Sequence, residues 1–169
     1  MQVEGLQIRH AEPDDCSDVH EIYSCSKAFA GTLQLPYPSL EHWRQRFAAP
    51  GSGTYNLVAV VGDRVVGMLS VDTFPNKPRR RHAGAIGMGV HDEWQGKRIG
   101  TALMRAGVDL ADKWLNLTRL ELEVYTDNEP AIRLYERCGF EREGTLRQYA
   151  FRDGHYVDAY LMARLRPSV

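Results

Sequence analysis

No stretch of this chain approaches the roughly 20 consecutive apolar residues that span a bilayer. Its opening, MQVEGLQIRH, also lacks the basic-then-apolar order of a secretory leader. Cysteine is scarce. Cys16, Cys25 and Cys138 are odd in number, sit at no metal-type spacing and have no neighbouring histidine, which speaks against a disulfide framework, a zinc site and a thiol nucleophile. The six histidines also lack ligand spacing, so no metal is expected. Neither charge is in excess: the net charge is −1, leaving no general field to draw in nucleic acid or an anionic membrane. The sequence holds no repeat, linker or low-complexity segment. These absences leave the expectation of a cytoplasmic globular protein, its 169 residues sized for one domain over residues 1–169.

Hydrophobic periodicity divides the chain into strand and helix signals. Leu6 to Arg9 alternates as a short strand, and Pro13 with Asp14 and Asp15 opens a helix. That helix carries Cys16, Val19, Ile22 and Tyr23 at helical spacing to about Ser26. Thr32 to Ser39 (TLQLPYPS) contains two prolines and predicts a loop. Ser39 suits the N-cap of a helix whose Leu40, Trp43 and Phe47 share a face. Tyr55 to Val61 and Val65 to Val71 are β-branched runs joined at Gly62-Asp63, a hairpin signal. Ala83 to Val90 predicts a strand and Leu103 to Leu115 an amphipathic helix. Leu120 to Tyr125 alternates strictly, with Glu121, Glu123 and Tyr125 on one face. A helix from about Pro130 to Arg137 stops at Gly139, and Glu143 to Phe151 and His155 to Leu165 flank a second hairpin turn at Asp153-Gly154. The pattern is α+β.

Chemistry concentrates in Val90 to Thr101, VHDEWQGKRIGT. Gly96 and Gly100 bracket Lys97 and Arg98, placing a positive turn at a helix N-terminus, where unpaired N–H groups and the helix dipole attract phosphate. Alone, such a turn is more often a plain loop. A second segment, Asn128 to Phe140, follows the glutamate-bearing strand directly. Together the two resemble the GNAT superfamily of N-acetyltransferases. The motif Q/R-x-x-G-x-G/A falls on Gln95, Gly96, Lys97, Arg98, Ile99 and Gly100. The motif N-x-x-A-x-x-L-Y-x-x-x-G-F falls on Asn128, Ala131, Leu134, Tyr135, Gly139 and Phe140. Ile8 to Asp14 is of the same type, so the resemblance covers nearly the whole chain. It departs at Arg98, where the family usually has glycine, and Arg98 therefore needs a turn backbone that a non-glycine residue can adopt. TLQLPYPS, Pro78-Arg79-Arg80 and Gly154 to Tyr160 narrow the likeness to bacterial L-amino-acid N-acetyltransferases.

The resemblance implies a mixed, mostly antiparallel sheet of six to seven strands, flanked by about four helices and splayed between strands 4 and 5. It implies acetyl-CoA as acyl donor, with Gln95, Gly96, Lys97, Arg98, Ile99, Gly100 and Thr101 at the pyrophosphate. Met88 or Val90 would offer a backbone N–H to the thioester oxygen, and Asn128, Ala131 and Tyr135 would complete the cofactor site. Transfer would be direct, with Tyr135 as the acid that meets the departing thiolate. Proton transfer from a tyrosine of pKa about 10 to a thiolate whose thiol has pKa about 8.5 is uphill by roughly 2 kcal/mol. Tyr135 must either hydrogen-bond the sulfur without full transfer or have a depressed pKa.

Glu123 is the candidate base, directly or through a water, with Glu121 as the fallback. An α-amino group of pKa near 8 is about a tenth neutral at pH 7 and makes the mildest demand on a base. A substrate carboxylate needs a partner, best a bidentate Arg, which Arg79, Arg80 or Arg81 with the loop residues Thr32, Gln34 and Tyr37 could supply. Phe29, Trp43, Tyr149 and Tyr160 could line an apolar pocket, and Gly87 and Gly89 suit close approach of a ligand to a strand. The expectation is an acetyl-CoA-dependent N-acetyltransferase of a small primary amine, foremost the α-amino group of a free amino acid. It is expected as a homodimer, with no metal, nucleic-acid or membrane partner. A protein N-terminal or antibiotic-type amine acetyltransferase, and a non-catalytic acyl-CoA-binding sensor, are the alternatives.

Overall fold

Runs of β-branched residues buried on both sides form the middle of one sheet. The computed structural model describes residues 3–167. Among them are strands β1 (Leu6–His10), β2 (Thr54–Val61), β3 (Arg64–Thr73), β4 (Ala83–Val90), β5 (Arg119–Tyr125), β6 (Glu141–Arg152) and β7 (His155–Leu165). They lie in the order β1-β2-β3-β4-β5-β7-β6, antiparallel throughout except for the parallel pair β4–β5. Helices α1 (Cys16–Ser24), α2 (Ser26–Ala30), α3 (Leu40–Ala48), α4 (Ile99–Lys113) and α5 (Glu129–Arg137) flank it. On one face Val58, Val60, Val65 and Met68 meet Val19, Ile22, Tyr23 and Trp43 of α1 and α3. On the other, Leu57, Ala59, Val66 and Leu69 pack with Leu103 and Met104 of α4 and Ile132 and Tyr135 of α5. Cover on both faces is why β2 and β3 read as continuous apolar runs rather than alternating ones. No helix of the described residues is long and apolar enough to cross a membrane.

The expected count of about four helices becomes five. Cys25 is extended (φ −72, ψ 135) and breaks the first helix before Ser26. The chain restarts as α2 because the Asp92 carboxylate accepts from the N–H groups of Lys27 and Ala28, each at 3.1 Å. Ser39 does cap α3, accepting from the His42 N–H at 3.3 Å.

Two irregularities, one between β4 and β5 at the middle of the sheet and one on the edge strand β6, shape the site. Strands β4 and β5 pair only at Ala83↔Arg119, Gly84↔Leu120 and Ala85↔Glu121, and then diverge. On β6, Leu146 faces Ala159 and Ala150 faces Val157, so Arg147, Gln148 and Tyr149 stand opposite Asp158 alone. Gln148 takes a left-handed backbone (φ 50), and its N–H donates to Asp158 at 2.7 Å. This bulge turns the end of β6 and re-aims its side chains.

Helix α4 is held on β3 by Leu103, which has no exposed surface and sits 3.0 Å from where a Cβ on Gly67 would lie. Leu103→Ala is expected to lower folding stability by about 2–5 kcal/mol in urea melts, with the slope unchanged.

Candidate active site

Beyond Ala85 the sheet opens into a cleft of about 790 Å³. Strand alternation decides which backbone groups face it. The His91 N–H donates to the Val66 carbonyl at 3.0 Å, so odd-numbered residues of β4 bond towards β3. Met88 and Val90, on the even positions, therefore point towards β5 where it has already departed. The Val90 carbonyl accepts from Gln95 Nε2 at 3.1 Å. No strand faces the N–H groups of Met88 and Val90.

The next turn exposes more donors. Gly96 (φ 75) and Arg98 (φ 65) are both left-handed, and Arg98 is the N-cap of α4. Arg98 thus takes the backbone of the glycine it replaces, at a cost of about 1–2 kcal/mol. From Gly96 to Thr101 no backbone N–H has a partner among the described residues; the first bonded one is Ala102, donating to the Arg98 carbonyl at 3.1 Å. Gln95, Gly96, Arg98, Ile99, Gly100 and Thr101 all line the cleft, as do Met88 and Val90. Lys97 does not, because its ammonium lies over the Trp94 ring, 4.7 Å from the centroid. Asn128 caps α5 by accepting from the Ala131 N–H at 3.3 Å, and Asn128, Ala131 and Tyr135 form the opposite wall.

Tyr135 is only 8% exposed. Burial pushes its phenol up to about 12, with the nearby Tyr23 and Cys138 adding to the rise. A depressed pKa for Tyr135 is therefore overturned. Tyr23 is likewise pushed to about 12 by burial, against a small opposing effect of Arg46. Its ring fills the space where a Gly89 Cβ would sit, with Cε1 at 2.8 Å. Gly89 is thus required by packing against α1, and it borders the cleft as Gly87 does.

The two glutamates of β5 part company. Glu121 lies beside Ala85, where β4 still pairs, and accepts from Arg80 at 2.7 Å and Arg119 at 3.1 Å. It does not line the cleft. Glu123, past the last β4–β5 pair, is exposed, lines the cleft and has neither an ion pair nor a hydrogen bond among the described residues.

The residues expected at the substrate are mostly elsewhere. Arg80 is held by Glu121 and lies over the Phe74 ring at 4.7 Å, while Arg79 is exposed on the turn before β4; neither lines the cleft. Gln34 is also absent from it, as is Tyr37, which is 97% exposed. Thr32 does border the cleft, but its hydroxyl serves its own loop, donating to the Phe29 carbonyl at 3.0 Å and accepting from the Gln34 N–H at 3.2 Å. Trp43 is in the core, stacked on Tyr23 with centroids 4.9 Å apart. Of the four aromatic candidates only Tyr149 reaches the cleft.

In their place the structure brings Arg152 of β6 to this end. It is paired with Asp127, lies over the Tyr125 ring at 5.0 Å, and donates to the Ala30 carbonyl at 3.4 Å. The sequence signal for it was slight, a basic residue beside the Asp153-Gly154 turn, because the bulge opposite Asp158 breaks the two-residue period.

A cleft opened by splayed strands and lined by unpaired N–H groups, a free carboxylate and a buried phenol has the groups that acyl transfer needs. Residues 17–140 match the model of the Acetyltransferase (GNAT) family, and the chain belongs to that family. It is an N-acetyltransferase, and it transfers acetyl to an amine. It is 42% identical over 161 residues to the L-amino acid N-acetyltransferase AaaT of Escherichia coli (strain K12), covering 95% of this chain and 98% of that one. It is 37% identical over 161 residues to the spermidine N(1)-acetyltransferase of the same organism, covering 94% and 84%. The fold matches the phosphinothricin acetyltransferase of Sinorhizobium meliloti, solved in complex with AcCoA, with TM-score 0.84, 24% identity and 95% and 88% coverage.

The two buried phenols make a pH prediction. Their raised pKa values mean that the unfolded chain releases these protons first. The stability they contribute is present below about pH 10 and is lost as pH rises through about 12. Denaturant melts from pH 9 to 12 should fall more steeply for the wild type than for the Tyr23→Phe, Tyr135→Phe double variant, by on the order of 2 kcal/mol per ring.

Proposed function

We propose that the chain transfers acetyl from acetyl-CoA directly to the α-amino group of a free amino acid. The observation that carries this reading is Arg152, a guanidinium over the Tyr125 ring, which packs on Tyr149, itself close enough to the free Glu123 carboxylate to feel its charge. An amino acid brings one charge for each: an ammonium that must lose a proton and a carboxylate that an Arg fork fits. Asp127 already pairs with Arg152, but Asp127 is exposed, and such surface pairs are worth about 0–1 kcal/mol. Exchange to a substrate carboxylate is therefore cheap. A polyamine would meet Arg152 and the nearby Lys27 with repulsion. The AaaT likeness supports the amino-acid reading. The likeness to the spermidine enzyme, together with Glu123 and Asp127, supports a second reading, transfer to a polyamine.

Acetyl-CoA supplies an activated acetyl thioester, and the unpartnered donors on the cleft wall suit it. The N–H groups from Gly96 to Thr101, with Gln95 and Arg98, would hold the pyrophosphate, Lys97 contributing backbone alone. The open N–H groups of Met88 and Val90 would meet the thioester oxygen, with Asn128 and Ala131 on the far wall. Glu123 takes the ammonium proton, directly or through a water. Tyr135 hydrogen-bonds the leaving sulfur: at about 12, full transfer to a thiolate of pKa about 8.5 is uphill by roughly 5 kcal/mol.

Thiol release from acetyl-CoA should be fast with free amino acids, and slow with their amides and with spermidine. Release with spermidine alone would reverse the assignment. Arg152→Gln should raise KM for the amino acid about 10- to 100-fold with kcat little changed. Tyr135→Phe should cut kcat by about 100-fold while CoA affinity stays within about twofold, and equal loss of both would mean that Tyr135 is only structural.

A further inference from the structure

A second hollow, of about 400 Å³, adjoins the cleft. It is lined by Leu6, Arg98, Thr101, Ala102, Arg105 and Arg137, and it shares Arg98, Thr101 and Arg137 with the cleft itself. Its three arginines are exposed, and none has an acidic partner among the described residues. That sets them apart from neighbouring arginines. Arg133 is paired with Glu129 at 2.8 Å, and Arg164 reaches Asp112 of α4 at 2.8 Å. Arg105 and Arg137 are also both near enough to Cys138 to oppose the rise that burial imposes on its thiol. Three guanidinium groups around one hollow repel each other unless an anion joins them.

We propose that this hollow receives the ribose 3′-phosphate of the acyl carrier, with Arg105 and Arg137 as its partners and Arg98 bridging to the pyrophosphate. The inference rests on the acetyl-CoA reading above and adds a selectivity to it. In CoA the 3′-phosphate stands one sugar away from the pyrophosphate, so a carrier seated on the N–H groups of Gly96 to Thr101 must project that group along the same rim. Thr101 and Arg105 are four residues apart on α4 and so lie on one helix face, leading from the cradle into the hollow. Leu6 and Ala102 give it an apolar floor. A phosphate monoester there would meet charge-assisted, fork-shaped donors. It would also relieve the mutual repulsion of Arg98, Arg105 and Arg137.

The test is calorimetric binding of CoA and of dephospho-CoA, which lacks only the 3′-phosphate, with adenosine 3′,5′-bisphosphate as a third ligand. The wild type should bind CoA at least ~10-fold tighter than dephospho-CoA. It should also bind the bisphosphate measurably. Arg105→Gln, an exposed position whose thermal melt should match the wild type, should shrink the CoA to dephospho-CoA ratio several-fold. Equal wild-type affinities for the two carriers, or a ratio that Arg105→Gln leaves intact, would overturn the assignment while leaving the acetyl-CoA reading standing. Failure to bind either carrier would remove both.

Discussion

The parting of β4 from β5 after Ala85 is the constraint on which the rest depends. A sheet interior satisfies its N–H and C=O groups by pairing strands, and an unpaired donor there is costly. Here the pairing stops in the middle of the sheet, and the chain satisfies only part of the resulting deficit itself. Gln95 takes the Val90 carbonyl, while the N–H groups of Met88 and Val90 stay open. The Gly96 to Thr101 donors continue that open row onto the start of α4. An extended ligand with acceptors along its length completes what the sheet leaves undone.

Charge is distributed to match. Arg80, Arg119, Arg133, Arg142 and Arg164 each have an acidic partner, so they act as struts. Arg98, Arg105 and Arg137, which have no acidic partner among the described residues, gather beside the Gly96 to Thr101 turn, and Glu123, equally unpaired, lines the same cleft. Tyr135 sits against Phe140 on the cleft wall, its proton held by burial. Asp92 ties two stretches of that lining together. It lies on the turn that leads to Gly96, yet it caps α2, which with the following loop lines the cleft.

Much of this was legible beforehand. Both hairpin turns, the Ser39 cap, the Gln95 to Thr101 turn and the helix after Asn128 depend on residues within about four positions of one another. Such patterns are written locally. The splay could be read too, but only through the resemblance, since no local pattern marks where parallel strands separate. The break at Cys25 was not legible, because the carboxylate that restarts the helix stands 64 and 65 residues away.

The substrate end was the least legible part, for the same reason. Glu121 and Glu123 are equivalent in the alternation of their strand, and Arg80, 41 residues before Glu121, decides that one is held and the other free. Arg79, Arg80 and Arg152 are equally basic on the page, but the bulge opposite Asp158 turns only Arg152 to the cleft. The sequence alone determined the elements, their caps and the donor-rich turn, because these follow from short-range sterics and hydrogen bonding. Tertiary structure alone decided which titratable groups remain unpaired, because pairing depends on partners brought together from distant parts of the chain.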